Sequence, residues 1–156
     1  MAWFEASRES TAVVDAVPQQ VWDVLSDPDQ VVEMTPFLQR ITEDGEHWHW
    51  EMISMSRMGM SFSPAFTVRM SFDEPQHIEF VHDPPEGVRE RAGADGWYRL
   101  REVEGGTELS ISLTVKVDLP LPRHAKPAVR TAMKGVLAEM GRRFGANLEA
   151  HLAAQR

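Results

Sequence analysis

Residues 123–154, RHAKPAVRTAMKGVLAEMGRRFGANLEAHLAA, decide the fold that we predict for this chain. Apolar side chains recur in this segment at steps of three and four: Val129, Met133, Val136, Leu137, Met140, Phe144 and Leu148. At about 100° per residue, these positions share one face of a helix within an arc of roughly 120°. A helix of some thirty residues is about 45 Å long. It cannot bury such a stripe alone, so the rest of the chain must cover it.

The residues before this helix alternate as β-strands do. In residues 109–117, apolar side chains occupy every second position and Ser, Thr and Lys lie between them. We predict a first strand over residues 3–14 and about six further strands between residues 38 and 117. Pro18 and Pro28 each begin a short helix after the first strand. Strands joined by hairpins predict an antiparallel sheet that curves around the long helix.

The composition limits the classes of function. The 156 residues are 42% hydrophobic and 26% charged, which is typical of one globular domain. There is no cysteine, so disulfides and thiolate chemistry are excluded, and we expect no cofactor. The net charge of −8 argues against nucleic acid as a partner. No apolar run reaches the ~18 residues of a transmembrane segment and no signal peptide is visible, so we expect a cytoplasmic protein.

The charge is unevenly distributed along the chain. Residues 123–143 contain six Lys or Arg and one Glu, a local charge of +5, which leaves −13 for the remainder. Arg123, Lys126, Arg130 and Lys134 lie in the first turns of the predicted helix, where the helix dipole disfavours cations. Two interpretations stay open. These residues form either a solvated face or a contact site for an acidic protein or the surface of a membrane.

Two segments resemble the START-like, or SRPBCC, superfamily, which includes polyketide cyclase/dehydrase and lipid-transport proteins. Residues 13–29, VVDAVPQQVWDVLSDPD, are similar to its opening motif, although Val17 interrupts the usual Ala-Pro pair. Residues 96–122, GWYRLREVEGGTELSISLTVKVDLPLP, and the final helix are similar to its later part. The resemblance implies a single START-like domain over residues 1–156.

The same resemblance implies an α+β helix-grip fold. In this fold a curved antiparallel sheet of about seven strands wraps around a long C-terminal helix, and two short helices follow the first strand. It also implies a cavity between sheet and helix that holds a hydrophobic or amphipathic small molecule.

Aromatic and methionine side chains at inward positions supply the candidate wall of this cavity. Such a wall suits a flat ligand with few polar groups. The candidate ligand-binding residues are Trp48, Trp50, Met52, Phe66, Met70, Phe80, Tyr98, Leu100, Met133, Leu137, Met140, Phe144 and Asn147. Four methionines fall within residues 52–60, namely Met52, Met55, Met58 and Met60. They either form an adaptable wall or fill gaps in an ordinary core.

His82 and Tyr98 are the candidate catalytic residues. His82 shares a strand face with Ile78 and Phe80, so it would be a general acid or base if that face is turned inward. The alternative is a solvated position at the end of the strand. The Tyr98 hydroxyl would be its partner in the pocket.

A metal site is not expected. His47 and His49 have a spacing that can bind zinc. However, Trp48 and Trp50 alternate with them and favour the inner face, which leaves the two histidines on the outer face. Arg69 and Arg99 are placed on the outer face by the same alternation.

Three functions stay open from the sequence. The first is a binding protein for a lipid, polyketide or aromatic metabolite. The second is an enzyme resembling polyketide aromatase/cyclases or dehydratases, which the lack of an evident inward Arg, Asp or Glu disfavours. The third is an accessory protein of an enzyme complex. An open apolar cavity favours the first, inward polar groups the second, and a filled cavity the third.

Overall fold

The computed structural model describes residues 2–57 and 59–155. In chain order its elements are β1 (Ala2–Val14), α1 (Pro18–Leu25), α2 (Pro28–Met34), β2 (Leu38–Asp44), β3 (His47–Met52), β4 (Met55–Arg57), β5 (Met60–Phe62), β6 (Ala65–Asp73), β7 (His77–His82), β8 (Ala92–Val103), β9 (Gly106–Leu119) and α3 (Lys126–Ala154).

Seven strands form one antiparallel sheet in the order β1-β9-β8-β7-β6-β3-β2. The sheet curves around α3, and two short helices follow β1, so the predicted helix-grip fold is confirmed. The strands β4 and β5 form a separate hairpin that the sequence pattern did not predict. Each has three residues, which is too short for a period of two to be recognised.

Both short helices begin at the predicted prolines, and α2 also has its predicted polar cap. Asp27 precedes α2, and its Oδ1 accepts a hydrogen bond from the backbone N–H of Asp29 at 3.0 Å. The Gln30 amide donates to the other oxygen of Asp27 at 3.1 Å. In α1, the Gln20 side chain accepts from the backbone N–H of Val17 at 3.1 Å.

The long helix begins at Lys126, three residues later than predicted, because residues 123–125 form a 3₁₀ turn. Four members of the predicted stripe are buried, namely Val129, Leu137, Phe144 and Leu148, and Leu152 extends the stripe by one turn. The other predicted members, Met133, Val136 and Met140, are half-buried. Within the described residues, no helix combines the length and the apolar character needed to cross a bilayer.

The inner face of the sheet is covered in two different ways. On one side α1 packs against β8 and α2 against β2, and the side chains between them are tightly buried. We call this region the packed half; it contains Val21, Trp22, Leu25, Trp48, Met70, Ile78 and Leu100. On the other side α3 lies over β8, β9 and β1, and many lining side chains are only partly buried. We call this region the cavity half.

Candidate functional site

A cavity of about 460 Å³ lies between the sheet and α3 in the cavity half. Strands β1, β3, β6, β7, β8 and β9 contribute to its wall, and α3 closes the opposite side. Most lining side chains are apolar. A volume of this size falls within the range of small-molecule sites, roughly 300–1,000 Å³.

Nine of the predicted ligand-binding residues line this cavity: Trp50, Met52, Phe66, Phe80, Tyr98, Met133, Leu137, Met140 and Phe144. Trp48, Met70 and Leu100 belong instead to the packed half, where other side chains cover them. The Asn147 amide donates to the backbone oxygen of Met34 at 2.9 Å and so joins α3 to the end of α2. Ligand contact by the lining residues stays a prediction.

Sequence reasoning missed two parts of the wall. The first is β1, where Arg8, Ser10 and Ala12 line the cavity although they are polar or small. Their period of two carries no hydrophobic signal, so a sequence pattern could not assign them an inner face. The second is a pair of helix glycines, Gly141 and Gly145, which lack the side chains that periodicity counts. Of the four clustered methionines, Met52 lines the cavity and Met58 lies outside the described residues.

A row of aromatic rings crosses the wall. The Trp50 ring stacks on the Phe66 ring, with 5.8 Å between centroids, and on the Phe80 ring, with 6.4 Å between centroids. Phe80 lies 5.8 Å from Tyr98, and Tyr98 stacks on Phe144 of α3 at 6.5 Å. The row therefore continues from the sheet to the helix. It offers flat apolar surface to a ligand, with one hydroxyl along it.

That hydroxyl belongs to Tyr98, which is only 9% exposed. It has no hydrogen-bond partner among the described residues. Burial raises the pKa of Tyr98 to about 12. The phenol is therefore neutral near pH 7 and can donate a hydrogen bond to a ligand, but it cannot act there as a general base.

His82 does not line the cavity itself, but its ring packs against the backbone of Gly93, which does. Its Nε2 lies 2.8 Å from Glu90 Oε1 and donates to that carboxylate, and its backbone N–H donates to Asp95 at 2.8 Å. The pairing of β7 with β8 ends at Phe80 and Gly96, and His82 lies just beyond this point. The imidazole is therefore held by the Glu90 carboxylate, next to the wall of the cavity.

Glu90 is the centre of this polar cluster, and its side chain is 6% exposed. It accepts hydrogen bonds from the backbone N–H of Thr67 at 2.8 Å and from the Thr67 hydroxyl at 2.7 Å, besides the one from His82. Burial alone would raise the pKa of Glu90, but the hydrogen bonds from Thr67 and His82 together lower it below its ordinary value. Glu90 is therefore a charged carboxylate at neutral pH with a structural role.

The two outer histidines have separate partners. His47 Nε2 lies 2.8 Å from an Asp83 oxygen, and His49 Nδ1 lies 2.9 Å from the Thr67 hydroxyl. The nearby Glu51 pairs with Arg40 at 2.7 Å. Across residues 2–57 and 59–155, no group of three or more His, Asp or Glu is arranged to hold a metal ion.

The sequence and the fold identify the family. Residues 5–149 match the family described as polyketide cyclase / dehydrase and lipid transport, so the chain belongs to it. No curated protein matches the chain in sequence.

Several solved structures share the fold. A conserved protein from Geobacillus kaustophilus superposes with a TM-score of 0.71 at 14% identity, covering 95% of both chains. A START superfamily protein from Mycobacterium smegmatis has a TM-score of 0.67 at 15% identity, covering 96% of this chain and 99% of that one. The di-domain ARO/CYC StfQ from the steffimycin biosynthetic pathway has a TM-score of 0.66 at 13% identity. That match covers 97% of this chain but 52% of StfQ, so the present chain spans about half of that protein.

Proposed function

We propose that this protein binds a hydrophobic or amphipathic small molecule, such as a lipid, a polyketide or another aromatic metabolite. The observation that carries the proposal is the mostly apolar cavity of about 460 Å³ between the sheet and α3. Affinity would come from burying apolar ligand surface, at about 25 cal/mol per Å². The aromatic row from Phe66 to Phe144 favours a ligand with a flat part.

A hydrogen-bond acceptor on the ligand would be oriented by Tyr98. Its hydroxyl is neutral near pH 7 and has no partner among the described residues, so it has a proton to donate. An acceptor on the ligand, such as a carbonyl oxygen, would receive this hydrogen bond, which contributes about 0.5–1.5 kcal/mol. The proposed ligand is therefore apolar over most of its surface and carries at least one acceptor.

The polar groups at the cavity support a carrier more than an enzyme. The charged side chains that line it are Arg8, Lys116, Arg142 and Glu149, and all except Lys116 are exposed. Arg142 is already paired with Glu139 at 2.6 Å. General acid–base catalysis needs a titratable group within hydrogen-bond reach of the reacting atoms. Tyr98 is held neutral, and His82, whose Nε2 donates to Glu90, is not among the side chains that line the cavity.

A displacement assay tests the proposal. A fluorescent apolar probe should bind the wild-type protein and be displaced by flat, carbonyl-bearing aromatic compounds. Met140→Trp fills the cavity and should weaken probe binding by about 10-fold or more, since it replaces ligand volume. Ala138→Trp places the same residue on the exposed face of α3 and is the matched control. Absence of probe binding to the wild type would reject the proposal and favour an accessory protein.

Tyr98→Phe separates the two parts of the proposed recognition. It removes one oxygen and keeps the ring that stacks on Phe144. Affinity for a carbonyl-bearing ligand should fall by about 5- to 10-fold, which corresponds to one hydrogen bond. Affinity for a pure hydrocarbon probe should stay the same or rise. Equal loss for both ligands would show that the hydroxyl does not contact the ligand.

The enzyme alternative rests on the same cavity and on the fold shared with the ARO/CYC protein StfQ. Under it, His82→Ala should leave ligand affinity near wild type but lower turnover of a polyketide substrate by about 10²–10⁴. Under the carrier proposal, no turnover should be measured for the wild type with any ligand that binds.

A further inference from the structure

One end of the sheet carries a cluster of cations around an exposed tryptophan. We call this surface the basic end; it consists of Trp3, Arg89, Arg91, Lys116, Lys126 and Arg130. Trp3 lies near the start of β1 and is 45% exposed. Its outward position places the indole in solvent, away from both the packed half and the cavity half.

Direct contacts join these residues into one surface. Trp3 is in register with Asp118 of β9, and that buried carboxylate holds Arg89 at 3.2 Å and Arg91 at 3.8 Å. On the other side, the Lys116 ammonium lies 5.9 Å from the centroid of the Trp3 ring. The surface therefore runs continuously from the loop before β8 to β9.

The first turns of α3 complete the basic end. Trp3, Lys116, Lys126 and Arg130 line one surface depression, together with Phe4 and Glu5. Lys126 and Arg130 are exposed and have no ion-pair partner among the described residues. The helix dipole disfavours cations at this end of a helix, so their presence is not explained by helix stability.

The charge of the basic end opposes that of the whole chain. It contains five cations against the carboxylates of Asp118 and Glu5, whereas the whole protein has a net charge of −8. Two further cations lie nearby in the sequence, Arg123 in the 3₁₀ turn before α3 and Lys134 within α3. A positive surface attracts an anionic partner even though the protein as a whole is acidic.

We propose that the basic end docks on an anionic membrane surface. The cations would lie at the level of the lipid phosphates, and Trp3 would enter the interface between head groups and acyl chains. Val88, the neighbour of Arg89 in the sequence, is also 51% exposed. Exposed apolar side chains among cations favour a membrane over an acidic protein, because charge pairing alone gives an exposed Trp no role.

The surface also adjoins the cavity. Lys116 contributes both to the depression at the basic end and to the cavity wall, as do the neighbouring elements β9 and α3. A membrane docked here would lie at the end of the cavity that Leu119 and Val129 line. The docking proposal does not depend on which ligand the cavity takes, so it can be tested with ligand-free vesicles.

Vesicle co-sedimentation tests the proposal. The wild type should bind vesicles that contain phosphatidylglycerol, fail to bind phosphatidylcholine vesicles, and detach at 0.5 M NaCl because salt screens the attraction. Lys126→Glu combined with Arg130→Glu should lower the binding constant by at least about 10-fold. The control is Arg99→Glu with Arg101→Glu, which changes the net charge equally at the opposite end of β8 but also removes the Arg101–Glu108 ion pair. If it is folded, it should bind the vesicles within about 2-fold of the wild type.

Tryptophan fluorescence locates the contact. Trp3 is the most exposed of the indoles, so brominated lipids in the anionic vesicles should quench wild-type fluorescence, and Trp3→Phe should remove most of that quenching. Circular dichroism of each variant checks that it is folded. Equal binding of the two charge-reversal variants, or quenching that persists without Trp3, would overturn the proposal. Capture of an acidic protein without vesicle binding would also overturn it and assign the surface to a protein partner.

Discussion

The packed half and the cavity half use the inner face of the same sheet but reach opposite outcomes. In the packed half, Trp22 of α1 and Trp48 of β3 both contact Phe72, with ring centroids 6.0 and 6.1 Å apart. Trp48 and Ile78 are at most 1% exposed there. In the cavity half, Ile111 and Leu113 are only half-buried, and about 460 Å³ stays open.

The difference lies in the covering helices. The short helices α1 and α2 bring bulky side chains, Val21, Trp22 and Leu25 among them, down onto the sheet. The facing part of α3 carries the flexible Met133 and Met140 together with two glycines. Gly145 leaves space that no side chain fills, whereas the Arg8 side chain packs against Gly141. The packed half therefore stabilises the fold, whereas the cavity half leaves space for a ligand. Four experiments test this division.

Matched leucine truncations should give the largest contrast. Leu100 of β8 is 5% exposed in the packed half, whereas Leu113 of β9 is half-buried at the cavity. Leu100→Ala should cost about 2–5 kcal/mol of unfolding free energy because it creates a new cavity. Leu113→Ala only enlarges an existing void and should cost about 1 kcal/mol or less. Urea denaturation measures both, and equal losses would contradict the division into halves.

Substitution of Glu90 should have the next largest effect on stability, because this carboxylate bonds Thr67 of β6 and His82 of β7 beside the cavity half. Glu90→Gln replaces one accepting oxygen by an amide N–H₂, which cannot accept the hydrogen bonds that Thr67 and His82 donate. The variant should lose about 1.5–3 kcal/mol of unfolding free energy at pH 7. The folded-state pKa of Glu90 lies below its ordinary value, so its stabilisation is present above the unfolded pKa and is lost as the pH falls through the folded pKa.

The variant should therefore show a shallower loss of stability below about pH 4.5 than the wild type. Thermal melts between pH 3 and pH 7 measure this slope. Glu79→Gln, on the exposed face of β7, is the control and should follow the wild-type curve. An unchanged acid profile in Glu90→Gln would show that this carboxyl does not set it.

Larger side chains should lower stability in the packed half but ligand binding in the cavity half. Val24 of α1 is 1% exposed, so Val24→Phe should overpack the packed half at a cost of about 1–3 kcal/mol. Val136→Phe enters the cavity, where room exists, and should change stability by less than about 1 kcal/mol. Probe binding should fall only in the Val136 variant. Similar destabilisation by both would mean that the cavity is too small to accept a phenyl ring.

Asn147 should give the smallest effect, at the boundary between the halves. Asn147→Ala removes the hydrogen bond to Met34, and should cost about 0.5–1.5 kcal/mol, or a few degrees of melting temperature. Probe affinity should be unchanged, because the amide is directed to α2 and does not line the cavity. A large loss of probe affinity with little change in melting temperature would instead show that Asn147 belongs to the binding site.

The sequence alone was sufficient for the architecture of this protein. Alternation over residues 109–117 and the stripe from Val129 to Leu148 are periodic signals, which local side-chain directions generate whatever the rest of the chain does. Proline and Asp27 fixed the short helices, since φ restriction and capping act within a few residues. The family resemblance then supplied the idea of a cavity between sheet and helix.

The tertiary structure decided which inward residues meet a void and which meet another side chain. Trp48 and Trp50 are two residues apart on one strand and have the same pattern, yet the first packs against Phe72 and is 1% exposed while the second lines the cavity. His82 was predicted to share a face with Phe80, but the pairing of β7 with β8 ends at Phe80, and the His82 ring donates to Glu90 in the loop before β8. Periodicity assigns a face, whereas coverage depends on long-range packing between elements far apart in sequence, and no local pattern contains that information.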